Sequence, residues 1–260
     1  MTGGLYVYAV VAGKPAELGT GIDGAALEVV AGPGDLAAVV HRHAAGPYEG
    51  ADDDVRRWVV EHSDVVERVW ESTGAVLPMS FNVIVAEGEE TPARSRLEGW
   101  LTAGGRLLRE RLDALENRVE LRVEIGLDQH RVAERHPDVV AMREDLETRP
   151  PGVRRLLGKR LDQLEREVTD ALADDLYQQY RRRLAAVSEE LSENRSARPG
   201  EGVVPVLTVS LLVPRDAIPA VGQELAAVQD EEPAAVIRYL GPWPPYSFAD
   251  VPGLAGPTPT

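Results

Sequence analysis

The chain has 260 residues, a formal net charge of −15, 5% aromatic residues and no cysteine. Without cysteine there can be no disulfide, thiolate metal site or cysteine nucleophile, and the acidic balance disfavours nucleic acid or an anionic membrane as a partner. The chain contains no apolar run of about 18 residues and no basic segment before its first apolar stretch, so we expect neither a membrane span nor a signal peptide. Its length suits one large domain or two small ones.

The first half of the chain predicts an α+β sandwich, with one sheet and its helices on one side. A continuous apolar run comes first and predicts a central strand covered on both faces. Two strands around a Gly-Pro-Gly-Asp turn follow it. Three aspartates then open a helix that a glycine ends, because acidic side chains suit a helix N-terminus. These elements lie at 5–11, 27–30 with 36–40, and 52–74. An extended segment at 76–85 leads to a second helix, with Thr91 as its N-cap and Pro92 as its first residue.

The second half is organised around one long helix, predicted at 152–191. Apolar residues recur every three or four positions from Val153 to Leu191, which is the pattern of an amphipathic helix. The apolar stripe drifts around the axis by roughly 200°, so we interpret the two halves of the helix as facing different bodies. A break near Gly158 or Asp174–Asp175 is one alternative, and an ordinary buried helix pair is another.

Strands and shorter helices surround the long helix. The strands are predicted at 119–125, 206–213 and 235–240, the helices at 131–147 and 217–229, and a polar loop at 192–202. A ferredoxin-like α/β sandwich is the simplest fold for this order of strands and helices. We therefore predict an α+β protein of two ferredoxin-like α/β sandwich units linked by long helical segments. The N-terminal domain takes residues 1–116, the C-terminal domain takes 117–249, and 250–260 form a disordered tail.

Three patterns that could carry chemistry are better explained as structure. Gly19–Gly24 matches G-x-G-x-x-G, but it leads into a strand rather than a helix, which favours a flexible loop over a nucleotide site. His41 and His43 lack the third ligand that zinc needs. His62 lies among valines on a helix face, as core histidines do. We therefore predict no catalytic residue, no cofactor and no metal site.

The segment from Leu240 to Phe248 is unusual because it combines three prolines with three aromatic residues. Proline fixes φ and removes a backbone donor, so we expect the segment to leave the sheet as a stiff arm. The arm either staples the last strand onto the core of the second domain or presents Trp243, Tyr246 and Phe248 as a docking surface. We favour the staple, and we name the three aromatic residues as the candidate partner-binding residues.

Several of these segments resemble the gas vesicle protein F/L family, the accessory proteins of gas vesicle assembly. The most specific is Gly-Pro-Trp-Pro-Pro-Tyr-Ser-Phe at 241–248. The others are the opening strand at 5–10, the turn and strand at 34–40, Val-Leu-Pro-Met-Ser-Phe at 76–81, and the strand at 119–123 before a long helix. The resemblance covers about residues 4–249. The chain departs from it at Asn82, where the family more often has glycine, and at Leu121, where tryptophan is frequent.

The resemblance implies a non-enzymatic minor gas vesicle protein of two α+β domains, located in the cytoplasm and the gas vesicle. Its implied partners are the hydrophobic shell protein and other gas vesicle accessory proteins. Its implied role is to limit aggregation of the shell protein during nucleation. An F-type and an L-type member are both compatible with these residues. Two other classes stay open, an enzyme built around His62 and a ferredoxin-like small-molecule-binding regulatory module, because fold alone does not determine function.

Overall fold

The computed structural model describes residues 3–44, 46–194 and 200–250. The chain divides into two compact units, one with the residues up to Glu120 and those from Pro242 onward, the other with Leu121–Gly241. The first boundary lies four residues from the one expected at 116. The segment after Gly241 belongs to the first unit, whereas the sequence placed it in the second domain. The expected tail lies outside the described residues except for Asp250.

The first unit is built on a five-stranded antiparallel sheet. Its elements are β1 (Gly4–Ala12), β2 (Leu27–Ala31), β3 (Leu36–His43), α1 (Asp52–Thr73), β4 (Leu77–Pro78), β5 (Ile84–Ala86) and α2 (Ala93–Leu115). The strand order is β2-β3-β1-β4, and β5 also pairs with β1. Because β1 is central and both α1 and α2 pack against it, every residue from Leu5 to Val11 is buried. This confirms the prediction of a strand covered on both faces.

The ends of α1 and α2 show which capping signals in the sequence predicted a helix boundary correctly. α1 begins at Asp52, and Gly74 caps its end with a φ of 75°, as the aspartates and the glycine predict. The predicted cap of α2 was wrong. That helix begins at Ala93, whose N–H donates to the Glu87 carboxylate over 2.7 Å. The longer side chain of Glu87 thus satisfies a free N–H that we had assigned to Thr91.

The second unit contains a four-stranded sheet and four helices in the described residues. Its elements are β6 (Arg118–Asp128), α3 (Gln129–Arg135), α4 (Pro137–Thr148), α5 (Pro151–Ala186), β7 (Glu190–Glu193), β8 (Val203–Pro214), α6 (Ile218–Glu231) and β9 (Ala235–Trp243). The strand order is β7-β8-β6-β9. With α3–α5 as one crossover and α6 as the other, the elements follow a β-α-β-β-α-β order. The first unit does not, because only a single 3-10 turn separates β1 from β2.

The long helix α5 runs unbroken for 36 residues, which rules out the alternative of a break near Gly158 or Asp174–Asp175. Its two halves do face different elements. Arg143 of α4 pairs with Glu165 at 2.7 Å, and Arg183 pairs with Glu224 of α6. Both partners lie in the second unit. No helix in the described part of the chain, α5 included, is long and apolar enough to cross a membrane.

The predicted end of α5 was five residues too late. Leu191 lies on β7, opposite Leu211 of β8. Val187 and Leu191 are four residues apart, which is a helical spacing, but a turn followed by a strand produces the same spacing. Pairing with β8 decides between the two, because it satisfies the backbone groups of residues 190–193.

Candidate functional site

The aromatic arm begins inside β9, since the strand continues through Pro242 to Trp243. The prediction that the strand ends at Leu240 was therefore wrong. β9 is an edge strand, and an edge tolerates proline because one side of the strand makes no ladder hydrogen bonds. A 3-10 turn at Tyr246–Phe248 then ends the described arm.

One part of the arm is firmly anchored in the first unit. Pro244, Pro245 and Phe248 are buried. Ser247 donates to the buried Glu120 carboxylate twice, from its backbone N–H over 2.7 Å and from its hydroxyl over 2.6 Å. The Arg111 Nε donates to the Phe248 carbonyl over 2.6 Å. The end of the arm, from Pro244 to Phe248, is thus anchored within the first unit.

The other two aromatic residues of the arm leave a surface exposed. Trp243 is 38% exposed and Tyr246 is 39% exposed. Tyr246 is held at its polar end, where its hydroxyl hydrogen-bonds with the Ser63 side chain and burial raises its pKa to about 12. The two expectations for the arm therefore apply to different residues. Phe248 is an anchor, whereas Trp243 and Tyr246 combine a fixed backbone with accessible rings.

A second concentration of polar and aromatic side chains lies in the core of the first unit. The Tyr6 hydroxyl and the His62 Nδ1 are 2.9 Å apart, and the His62 Nε2 lies 3.0 Å from the Met79 carbonyl. Since a carbonyl only accepts, Nε2 carries the proton and Nδ1 accepts from Tyr6. The Tyr6 hydroxyl in turn accepts from the Asn82 N–H over 3.1 Å. His62 is thus a hydrogen-bonded core histidine, as predicted.

Tyr8 and His41 form a matching pair beside the first. The Tyr8 hydroxyl lies 2.9 Å from the His41 Nδ1, and the Tyr48 hydroxyl lies 3.2 Å from the His41 Nε2. The backbone N–H of Ile22 donates to the Tyr8 hydroxyl over 2.8 Å. Both nitrogens of His41 are therefore occupied, and the ring is buried. We call the four side chains Tyr6, Tyr8, His41 and His62 the tyrosine–histidine cluster.

Burial dominates the electrostatics of the cluster. It lowers the pKa of His41 and of His62 to about 4 and raises the pKa of Tyr6 and of Tyr8. Both histidines are consequently neutral at pH 7. Their ring nitrogens are already engaged inside the protein, so neither is free to bind a metal ion or accept a substrate proton. No group of three or more metal-ligating side chains occurs among the described residues.

The glycine-rich segment 19–24 is ordered by the same core. Its centre is a 3-10 turn at Ile22–Gly24, and β2 follows rather than a helix. Ile22 is fully buried, and Asp23 adopts a φ of 52° while its carboxylate accepts from the Trp58 Nε1 over 3.0 Å. Burial of Ile22 and the hydrogen bond to Asp23 hold the segment in an ordered turn, so the prediction of a flexible loop was wrong. The segment lacks the helix N-terminus that a dinucleotide site requires.

Comparison with known proteins identifies the family. Residues 4–250 match the family described as gas vesicle synthesis protein GvpL/GvpF. The chain belongs to the GvpL/GvpF family. Its relatives include gas vesicle protein L2 of Halobacterium salinarum, which is 31% identical over 265 residues and covers 96% of this chain and 92% of its own. Gas vesicle protein F of a Streptomyces species is 28% identical over 208 residues, covering 75% and 78%.

Solved structures of the family share the fold. The crystal structure of GvpF from Anabaena sp. PCC7120 gives a TM-score of 0.68 at 17% identity and covers 96% of this chain and 98% of that one. GvpF from Microcystis aeruginosa gives 0.65 at 20% identity, with 95% and 99% covered. The GvpF-like fold is thus an α+β fold with two antiparallel sheets and helices. The family resemblance seen in the sequence is confirmed, and the protein takes part in gas vesicle formation.

The tyrosine–histidine cluster of this GvpL/GvpF member was not predicted from its sequence. The signal was present, because Tyr6 and Tyr8 are two residues apart on one strand, and His41 and His43 are two apart on another. Residues with this spacing share a strand face. The missing information was the register, which places Tyr6 directly opposite His41.

Proposed function

We propose that this protein acts in gas vesicle assembly as a non-enzymatic binding protein. It binds the hydrophobic shell protein, together with other gas vesicle accessory proteins, and limits aggregation of the shell protein during nucleation. It works in the cytoplasm and at the forming vesicle. The observation that carries the proposal is the match of residues 4–250 to the gas vesicle synthesis family.

We assign the shell-protein contact to the exposed rings of Trp243 and Tyr246. Support comes from their chemistry, since tryptophan and tyrosine are the commonest binding hot spots and an apolar partner suits them. Support also comes from rigidity. The prolines at 244 and 245 and the two Ser247–Glu120 hydrogen bonds hold the arm before any partner arrives, so little conformational freedom is lost on binding. Phe248 contributes as the buried anchor.

A capture assay with purified shell protein tests the assignment. Tyr246→Ala and Trp243→Ala should each weaken capture by about 2 kcal/mol, or roughly thirtyfold, as expected for hot-spot residues. Both should also weaken the suppression of shell-protein light scattering. The matched control is Tyr239→Ala, because Tyr239 lies on the same strand and is 38% exposed. That control should behave as wild type.

The outcomes separate the site from the function. Normal capture by both arm variants, with wild-type capture intact, would move the contact away from the arm. Failure of the wild-type protein to bind the shell protein or reduce its scattering would overturn the proposed function itself. Thermal unfolding of each variant tests whether it is still folded. Truncating a partly exposed aromatic residue should destabilise the protein by less than the roughly 3–5 kcal/mol expected for a buried one.

A ferredoxin-like small-molecule-binding regulatory module is the second candidate. It is favoured by the β-α-β-β-α-β connectivity of the second unit, which we infer to be a ferredoxin-like sandwich. A vesicle-forming host that lacks its own GvpL/GvpF protein distinguishes the two candidates. Vesicles restored by this chain, and lost again with the Trp243/Tyr246 double variant, support the binding role. Vesicle formation that depends only on the second unit of the chain supports the regulatory role.

A further inference from the structure

The first turns of α5 carry a surface unlike the rest of this acidic chain. Between Thr148 and Leu161 there are five cationic residues and no acidic one, whereas the whole chain has 28 basic and 43 acidic residues. These cations are Arg149, Arg154, Arg155, Lys159 and Arg160. Leu156, in their midst, is 72% exposed, the most exposed of the large hydrophobic side chains in the described residues. Val153, in the same turns, is 44% exposed, so apolar surface lies among these cations.

Helix geometry gathers Leu156, three of these cations and the neighbouring Val153 on one side of α5. At 100° per residue, Arg155, Lys159, Leu156, Arg160 and Val153 fall within about 160° of the α5 circumference. We call these five residues the basic face. Arg160 lies 3.6 Å from Glu167. Among the described residues, Arg155 and Lys159 have no ion-pair partner.

The basic face is electrostatically unfavourable for the helix that carries it. The N-terminal end of a helix has a partial positive charge, which acidic side chains usually complement. The first turn of α5 contains no acidic residue, and Arg154 and Arg155 follow directly. An anionic partner would offset this repulsion, while nothing within the described chain neutralises Arg155 or Lys159.

A complementary surface exists on α1 in the first unit. Val60, Asp64, Glu67 and Glu71 fall within about 60° of the helix circumference, so they form one stripe. All four are exposed, and Val60 is 57% exposed. Among the described residues, none of the three carboxylates has an ion-pair partner. Like charges three and four residues apart repel each other on a helix. We call this stripe the acidic face.

We propose that the two faces bind each other between copies of this chain, the basic face of one copy on the acidic face of the next. The faces are opposite in charge, with two unpaired cations on the basic face and three unpaired carboxylates on the acidic face, and each has an exposed apolar side chain, Leu156 or Val60. Each face also relieves a like-charge repulsion in the other. Because the two faces differ, the contact is heterologous and passes from copy to copy.

The net charge of −15 opposes this association only at long range. At physiological salt the Debye length is about 8 Å, so distant charges are screened while groups in contact still attract. Exposed ion pairs each contribute little. The association is therefore weak and should grow with protein concentration.

Charge exchange between two variants of the full chain gives a sharp test by sedimentation velocity. Variant A carries Arg155→Glu and Lys159→Glu, so both of its faces are acidic. Variant B carries Asp64→Lys and Glu71→Lys, so both of its faces are basic. Wild-type sedimentation coefficients should rise with concentration. Each variant alone should associate at least about tenfold more weakly. An equimolar mixture of A and B should recover association, because every contact then joins opposite faces.

Matched single variants separate the face from net charge. Arg155→Glu and Arg182→Glu change the charge equally, and both arginines are exposed on α5. Only Arg155→Glu should weaken association. Far-UV circular dichroism verifies that each variant is folded.

Three results would overturn the proposal. The first is a wild-type protein that stays monomeric at all soluble concentrations. The second is a mixture of A and B no more associated than either variant alone. The third is binding of a monomeric wild-type protein to phosphatidylglycerol vesicles that requires Arg155 and Lys159, which would assign the basic face to a lipid surface.

Discussion

The cores of the two units are built from different chemistry. In the first unit, Tyr6, Tyr8, His41 and His62 are buried and joined by hydrogen bonds. In the second unit, β6 and β8 contribute mainly aliphatic side chains, such as Leu121, Val123, Val209 and Leu211. Directional hydrogen bonds define one geometry and penalise any unpaired group, whereas aliphatic packing is non-directional. The first core is consequently sensitive to protons and to single-atom changes, and the second is sensitive mainly to volume.

Acidification should produce the largest difference between the units. The folded pKa of about 4 for His41 and His62 lies below the usual value of about 6.5 in an unfolded chain. The unfolded state therefore binds more protons, and the stability from neutral histidines is complete above pH 6.5 and lost as pH falls towards 4. The loss reaches about 3 kcal/mol for each histidine.

The tryptophans make that loss measurable for the first unit alone. Trp58, Trp70, Trp100 and Trp243 all lie in the first unit, so their fluorescence reports on it, while far-UV circular dichroism reports on both units. Fluorescence should change at a higher pH than the bulk of the dichroism signal. His130→Gln, at an exposed position of the second unit, should leave the acid transition in place. Coincident transitions would contradict the comparison.

Truncating the aliphatic core should have the next largest effect. Leu211→Ala removes a fully buried side chain of β8, which should lower the free energy of unfolding of the second unit by about 2–5 kcal/mol. The acid midpoint of the tryptophan signal should not move. Denaturant unfolding followed by circular dichroism measures the first quantity. Leu156→Ala, at an exposed leucine, should stay within about 0.5 kcal/mol. A shift of the acid midpoint in Leu211→Ala would show that the two cores are not independent.

Removing one hydroxyl from the polar core should have a smaller but clear effect. Tyr6→Phe leaves the His62 Nδ1 and the Asn82 N–H without their partner. Leaving buried polar groups unpaired should destabilise the first unit by about 1–3 kcal/mol. Tyr239→Phe is the control, because the Tyr239 side chain is partly exposed on an edge strand. Urea unfolding followed by tryptophan fluorescence gives both values, and equal values would contradict a special role for hydrogen bonds in this core.

Asn82→Gly should have the smallest effect. Asn82 adopts a φ of 69°, which glycine adopts without strain. Its side chain accepts from the Tyr48 N–H over 2.8 Å and donates to the Tyr48 carbonyl over 3.2 Å. The lost bonds and the relieved strain oppose each other, so stability should change by less than about 1 kcal/mol. Asn82→Val loses the same bonds and adds strain, so it should destabilise clearly more in the same thermal unfolding measurement.

The helices and most strands could be predicted because their signals are local. Periodicity and capping located α1 at both ends. The predictions were wrong where the structure of a segment depends on the strand that pairs with it. β7 was taken for the end of α5 and for part of a loop, since its pairing with β8 is not visible in spacing. Proline was expected to end β9, but an edge strand accommodates it.

At the candidate site, too, some features could be predicted from the local sequence and others depend on the folded structure. Three aromatic residues at 243–248 could be named from composition, and so could the rigidity of their backbone. Which of them is an anchor depends on Glu120 and Arg111, which meet the arm only in the folded first unit. Those contacts are made by Ser247 and Phe248, and the rings of Trp243 and Tyr246 remain partly exposed.

The α+β class, the long helix and the aromatic arm could be predicted from the amino-acid sequence alone, because composition, short-range periodicity and proline content indicate them. The family was indicated by resemblance to known members. Three features became visible only in the folded chain: the hydrogen bonds that join Tyr6 to His62 and Tyr8 to His41, the unit to which the arm belongs, and the exposure of Leu156 beside unpaired cations. The reason is physical. Hydrogen-bond partners, burial and pKa depend on residues distant in the chain, and only folding brings those residues together.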